Sequence, residues 1–196
     1  MKKLWMCILL IMLSACTNQT AKEEVQQPAY CDEDENTTCS LGKNADMSGY
    51  EGLDAKNTQF EESDMDTVLK TFDEKKDGIF YFGYPGCPWC VEAVPVLNEQ
   101  AKEAGVKIQY IQTRDAEKKL MYTEQQKAKL VPLVEQYLNK DDDGNYQIYV
   151  PFVLIVKNGV AKSGHIGTVD GHDAHERVMT DDEKTQLIAI YQEMLK

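Results

Sequence analysis

Ile79-Phe80-Tyr81-Phe82-Gly83-Tyr84-Pro85-Gly86-Cys87-Pro88-Trp89-Cys90-Val91-Glu92-Ala93 is the stretch on which the reading of this chain turns. Ile79 to Tyr84 is a short apolar and aromatic run of the kind that makes a buried strand. The helix that follows the cysteines is expected to reach Ala104 and stop at Gly105. Cys87 and Cys90 therefore stand at a strand-to-helix junction, with both sulfurs close together. Unpaired amide N–H groups and the helix dipole favour negative charge there, so the Cys87 thiol is expected to ionise more readily than a free cysteine. Pro88 suits a first helical turn because its φ is fixed and no N–H is needed at that place. A dithiol of this kind supports exchange. Cys87 as thiolate attacks a disulfide, and Cys90 resolves the mixed disulfide that results.

Zinc also uses paired cysteines, but it normally needs a second pair of soft ligands. Cys31 and Cys39, spaced by seven residues in a polar stretch, suit that role poorly. No metal ligand is assigned on this ground.

Downstream of the motif, Val106 to Gln112 alternates as a strand should. Asp115 to Asn139 has a helical character interrupted by Pro132, and Asp141 to Asn145 is a turn. Asn139 to Gly144 resembles the opening of a calcium loop, yet the twelfth position is Val150 and supplies no bidentate carboxylate. Phe152 to Val156 is a strongly apolar strand. Asn158-Gly159 signals a type I′ hairpin into a strand ending near Ile166. A last helix covers Asp181 to Leu195, with Leu187, Ile188, Tyr191 and Leu195 on its apolar face. Upstream, Met65, Val68, Leu69 and Phe72 recur at helical spacing after Ser63 as N-cap, and Asp77-Gly78 breaks that helix. Strands separated by helices imply a parallel β-α-β unit, and the closing hairpin adds antiparallel pairing. The expectation is an α/β domain with a mixed central sheet covered by helices.

From about Met65 to its end the chain resembles the thioredoxin family. Pro95 stands five residues past the second cysteine, where that family carries a helix proline. Val150-Pro151 opens the next apolar strand, where the family carries a cis-proline facing the redox cysteines. Pro151-Phe152-Val153-Leu154-Ile155-Val156-Lys157-Asn158-Gly159 is similar to the family's proline, apolar strand and Lys-Asn-Gly turn. Gly167 follows the next strand as a family glycine does. The resemblance implies a thioredoxin-like fold, thiol–disulfide exchange through Cys87 and Cys90, and no bound cofactor. It also implies that Pro151 exposes the backbone of Val150 for strand-like pairing with substrate. Of the aromatic group at the motif, Tyr81, Phe82 and Tyr84 are expected in the core, and Trp89 is expected to be exposed and to touch substrate. Two departures stand out. Tyr81 occupies the place of the family's buried acidic residue, six before the first cysteine, and Glu92 or water is left to replace it as proton acceptor. The segment from Asp115 to Gln147 is longer than in a minimal member and reads as a helical insertion before the cis-proline strand.

The N-terminus belongs to a different kind of segment. Lys2 and Lys3 precede a ten-residue apolar run, Leu4 to Leu13. That run is too short for a spanning helix, which needs about 20 residues, and it reads as a secretory signal. Leu13-Ser14-Ala15-Cys16 resembles the bacterial lipoprotein cleavage box, which implies that Cys16 is lipidated and becomes the new N-terminus. Two or more acyl chains anchor stably where one does not. Loss of Lys2 and Lys3 takes the formal charge from −12 to −14. Such an acidic chain lacks the positive footprint that nucleic-acid binding needs. Between Thr17 and Phe60, nine acidic residues accompany three lysines in a polar stretch without hydrophobic period, which reads as a flexible tether. The division expected is therefore signal peptide 1–15, tether 16–60 and thioredoxin-like domain 61–196.

Four cysteines remain after processing, an even number that suits disulfides outside the cytosol. Cys31 and Cys39 form either a static disulfide, stabilising by about 2.5 kcal/mol in the chain-entropy model, or a second redox pair. His165 is expected on the last strand, with His172 and His175 in a solvated glycine-rich loop. The sum is a monomeric, lipid-anchored oxidoreductase on the outer face of the cytoplasmic membrane. It would exchange disulfides with exported protein thiols and be recycled by a membrane redox partner. The alternative is a redox-linked metallochaperone joining the cysteine pair to His165 or His172.

Overall fold

The computed structural model describes residues 42–196. The first element is β1 (Phe60–Ser63), followed by α1 (Met65–Asp73), β2 (Gly78–Gly83), α2 (Pro88–Ala104) and β3 (Ile108–Gln112). Then come α3 (Glu124–Val134), a 3₁₀ turn (Glu135–Tyr137), the short strands β4 (Asn139–Lys140) and β5 (Tyr146–Gln147), β6 (Phe152–Lys157), β7 (Val160–Ile166) and α4 (Asp181–Met194). Five strands form one sheet in the order β1-β3-β2-β6-β7. β3 runs parallel to β1 and β2, while β6 runs antiparallel to β2 and β7. The mixed α/β sheet expected from the sequence is the one found. β2 is its middle strand, so Cys87 and Cys90 lie just beyond the carboxyl end of the sheet's centre.

Alternation along β2 builds both faces. Tyr81 points to one side with Phe60, Ile108, Tyr110, Val153 and Ile155, where α2 and α4 cover the sheet. Phe80 and Phe82 point to the other with Ile111, Phe152, Leu154 and Val156, where α1 and α3 cover it. A central strand buried on both faces must be apolar almost throughout, which explains Ile79-Phe80-Tyr81-Phe82. Asn158 and Gly159 both have positive φ, 56° and 66°, as a type I′ turn requires.

Several boundaries differ from expectation. Residues 42–60 are not a free tether: Ala45, Met47 and Tyr50 are buried in the α2/α4 side of the core. Backbone bonds tie this segment to β1, from the Ala45 N–H to Phe60 O at 3.0 Å and from the Glu62 N–H to Lys43 O at 2.7 Å. Three isolated apolar residues in a polar stretch leave no period to read, so the packing was invisible in sequence. Ser63 ends β1, and the cap of α1 is Asp64, which accepts from the Thr67 N–H at 2.8 Å. Only part of the insertion is helical. α3 contains Pro132 without breaking there, and the β4–β5 ribbon holds the Asp141–Asn145 turn, closed by the Asp141 carboxylate accepting from the Asn145 N–H at 2.8 Å. Among the described residues no helix is long and apolar enough to cross a membrane. The signal segment 1–15, Cys16, Cys31 and Cys39 lie outside the described residues.

Candidate active site

Cys87 is the N-cap of α2, with φ −95° and ψ 117°, and its Sγ accepts from the Cys90 N–H at 3.4 Å. The turn before it closes through the Cys87 N–H and Tyr84 O at 3.2 Å. Both thiols are free and buried, Cys87 at the surface edge with 4% exposure and Cys90 with none. Their environments push them apart. The Cys87 thiol is held below its ordinary pKa, chiefly by the hydrogen bond from Cys90 and further by the amides of Cys90 and Trp89, against the opposing effect of burial. The Cys90 thiol is pushed well above, first by burial and then by its bond to Cys87 and the negative charge there. Cys87 is thus the thiol that ionises first and Cys90 the one that keeps its proton longer, the division of labour that exchange needs.

The Val150–Pro151 bond is cis, as the resemblance implies. It brings the Val150 carbonyl to the Cys87 thiol, which donates to it at 3.7 Å. Pro151 is buried, and its carbonyl accepts from the Gly167 N–H at 2.8 Å. Trp89, expected exposed, is half-buried: its indole N–H donates to His172 O at 3.4 Å and its ring stands nearly perpendicular to that of His175, centroids 4.6 Å apart.

The loop that carries the late histidines is more ordered than a solvated loop. His172 is buried, with Nδ1 2.7 Å from Thr168 Oγ1 and Nε2 3.0 Å from Arg177 O. Glu92 accepts from the Met179 N–H at 2.5 Å and sits 3.4 Å from His172 Nε2. Glu92 therefore fastens this loop to α2. His165 Nε2 is 2.7 Å from Thr168 O. Among the described residues no group of three or more histidines, cysteines and carboxylates is placed to hold a metal ion. Tyr81 is fully buried, and among the described residues its hydroxyl has no partner of normal hydrogen-bond geometry. Its interaction with the Cys90 sulfur pulls that thiol slightly down, against the larger upward push. Tyr50, from the segment before β1, bonds its hydroxyl to that of Tyr110 at 3.0 Å in the same aromatic cluster.

A cleft of about 550 Å³ opens beside Cys87. Its walls include Trp89, Arg114, Lys118, Tyr122, Tyr149 and Val150. Arg114, Lys118 and Tyr149 were not foreseen, because only the fold brings the loop after β3 and the residues before β6 together against Cys87. One signal was available: in open α/β sheets the loops at the carboxyl ends of parallel strands gather at the site, and β2 and β3 are such a pair.

No protein-family model matches the chain, and no curated protein matches it. Solved structures do. Thioredoxin O2 from Arabidopsis thaliana, in the oxidized state, is 15% identical with a TM-score of 0.39 over 71% of this chain and 96% of that one. Thioredoxin from Aeropyrum pernix is 17% identical with a TM-score of 0.34 over 54% and 73%. An uncharacterized thioredoxin-like protein from Clostridium perfringens is 20% identical with a TM-score of 0.33 over 74% and 91%.

The fold is thioredoxin-like. What carries this is the chain's own strand order and pairing, the Cys-x-x-Cys at the end of the middle strand, and the cis bond facing it.

Proposed function

We propose that the protein is a thiol–disulfide oxidoreductase in which Cys87 is the nucleophile and Cys90 the resolving thiol. The observation that carries this reading is the asymmetry of the pair: an N-capping Cys87 sulfur held low at the rim of a cleft, over a Cys90 sulfur held high in the core. In the reducing direction, Cys87 thiolate attacks a substrate disulfide, forming one S–S bond and releasing one substrate thiolate. Cys90 then loses its proton and attacks Cys87 Sγ. The second substrate thiolate leaves, the Cys87–Cys90 disulfide closes, and two electrons have passed to the substrate. The opposite direction runs the same steps in reverse, and the pair's reduction potential decides which prevails.

Val150 and Trp89 flank the nucleophile, and Pro151 sets the turn that places Val150; these are the residues proposed to meet substrate. The Leu-Ser-Ala-Cys box supports a lipid anchor at Cys16 and a place on the outer face of the cytoplasmic membrane. The substrates are then exported protein thiols or disulfides, with a membrane redox partner returning the pair to its working state. Nothing in the cysteine chemistry calls for a bound cofactor. The test is trapping. A Cys90→Ser variant should accumulate a mixed disulfide with a model disulfide substrate, a Cys87→Ser variant should not, and equal trapping by both would sink the assignment of roles.

A further inference from the structure

The full chain carries a formal charge of −12, yet among the described residues no aspartate or glutamate lines the cleft beside Cys87. Its charged residues are Arg114 and Lys118, and His175 also lines it. Chance placement in so acidic a chain would be expected to bring carboxylates to the rim. Building on the oxidoreductase reading, we propose that this cleft selects extended polypeptide segments bearing carboxylates close to the reacting cysteine, and that Arg114 and Lys118 make the selection.

The wall that presents these cations is a built turn. Thr113 is stitched to the end of β2, its N–H and hydroxyl both donating to Gly83 O at 2.9 and 3.3 Å. The chain leaves at Arg114 and returns at Leu120, which face each other in an antiparallel bridge. Inside the turn the Asp115 N–H donates to Lys119 O at 3.0 Å, and the Arg114 guanidinium donates to Lys118 O at 2.7 Å. Lys118 itself has a φ of 63°, a left-handed conformation that costs a non-glycine residue and persists only where neighbouring contacts fix it.

The acidic residues of the same turn do not cancel this charge within the cleft. Asp115 spends a carboxylate oxygen on the Lys119 N–H at 2.8 Å, and neither it nor Glu117 lines the cavity. Among the described residues neither Arg114 nor Lys118 takes part in an ion pair. Arg114, Tyr84 and Cys87 all line the cleft, and the charges of Arg114 and Cys87 act on the Tyr84 hydroxyl in opposite senses.

The remaining surface suits a polypeptide. Leu120 and Tyr149 are large and exposed, at 36% and 43%, and both line the cleft with half-buried Tyr122 and Val150. Apolar side chains lining the same cleft as two cations without ion pairs favour a segment of mixed apolar and acidic character. The net negative charge of the chain opposes approach of such a segment, so the local cations decide whether encounter is productive. That selection acts mostly on the association step and weakens with salt.

The experiment uses the full-length chain in a non-ionic detergent and three synthetic peptides, each disulfide-linked to the same reporter thiol. One peptide has glutamates beside its cysteine, one has glutamines and one has lysines. Second-order exchange rates are measured at low and high ionic strength. The wild-type protein should prefer the glutamate peptide over the lysine peptide by about tenfold at low salt, with the ratio collapsing near 1 M salt. Arg114→Gln/Lys118→Gln should bring the low-salt ratio close to one. Arg114→Lys keeps the charge while altering the turn, and should keep most of the preference. Lys102→Gln, which lowers the total charge in the last turn of α2, should leave the ratio intact. A wild-type ratio of one, or a double variant that keeps the preference, overturns the proposal. No exchange with any of the three, the glutamine peptide included, overturns the oxidoreductase reading itself.

Discussion

Replacing Gly83 by alanine probes the packing that holds the redox motif at the end of β2. A Cβ at this position would sit 2.3 Å from Tyr81 Oη, 2.6 Å from its Cζ and 2.9 Å from its Cε1. Residues 81 and 83 share a face of the strand, and the Tyr81 ring lies over the space a side chain would fill. The ring has nowhere to go. It is fully buried, stacked on Tyr110 at 5.8 Å and set edge-on against Phe60 at 5.6 Å. Overpacking of a closed site costs about 1–3 kcal/mol, and contacts this short on an immobile ring place Gly83→Ala at the top, about 3 kcal/mol. For a unit of this size each kcal/mol moves Tm by about 2–4 °C, so a fall of roughly 6–12 °C is expected. Denaturant unfolding followed by far-UV circular dichroism should show a lower midpoint at unchanged slope. Gly86→Ala is the comparison: its Cβ would approach half-buried Tyr84 at 3.3 Å, a ring with room to yield, and the change should stay within about 0.5 kcal/mol. In Gly83→Ala/Tyr81→Phe the contact to the hydroxyl vanishes while that to the ring carbon stays, so rescue should be partial. A Gly83→Ala protein as stable as wild type would refute this account of why glycine stands there.

Three further outcomes follow from the structure. Cys87 has a depressed pKa in the folded protein, so its alkylation by iodoacetamide should reach half-maximal rate below the ordinary thiol value of about 8.5, while Cys90 stays protected; a midpoint at or above 8.5 would contradict the site electrostatics. The raised Cys90 pKa makes the reduced folded state hold a proton that the unfolded chain releases above about pH 8.5. Reduced protein should therefore lose stability as pH rises beyond that point, where Cys87 is ionised in both states and adds no slope, and Cys90→Ser should flatten the dependence. A chain beginning at Glu61 lacks buried Ala45, Met47, Tyr50 and Phe60; at about 1.5–3 kcal/mol for each large apolar side chain, against a total of about 5–15 kcal/mol, it should unfold far more readily than one beginning at Gly42.

What could be read from sequence was what local chemistry dictates. The Cys87–Cys90 spacing, the apolar runs of β2 and β6, the Asn158-Gly159 turn and the Val150-Pro151 step each need particular residue types in fixed order, and each stands where expected. What escaped depends on contacts between distant segments. Met47 and Tyr50 are single apolar residues in a polar stretch, and only the space beside Tyr110 reveals why they are there. His172 reads as a loop residue until Thr168, Arg177 and Glu92 close around it. Arg114 and Lys118 are ordinary surface cations until the turn after β3 lays them along the nucleophile's cleft.

The central claim is that Cys87 and Cys90 form a working redox couple, and a redox titration tests it most directly. Trp89 is the only tryptophan beyond the first fifteen residues and adjoins both cysteines, so its fluorescence reports the pair as the protein equilibrates in dithiothreitol or glutathione buffers. The account predicts one reversible two-electron transition, lost in Cys87→Ser and Cys90→Ser. Its potential gives the direction of work: near about −270 mV the protein is a reductant, and near about −120 mV an oxidant. Absence of any reversible transition would contradict the account.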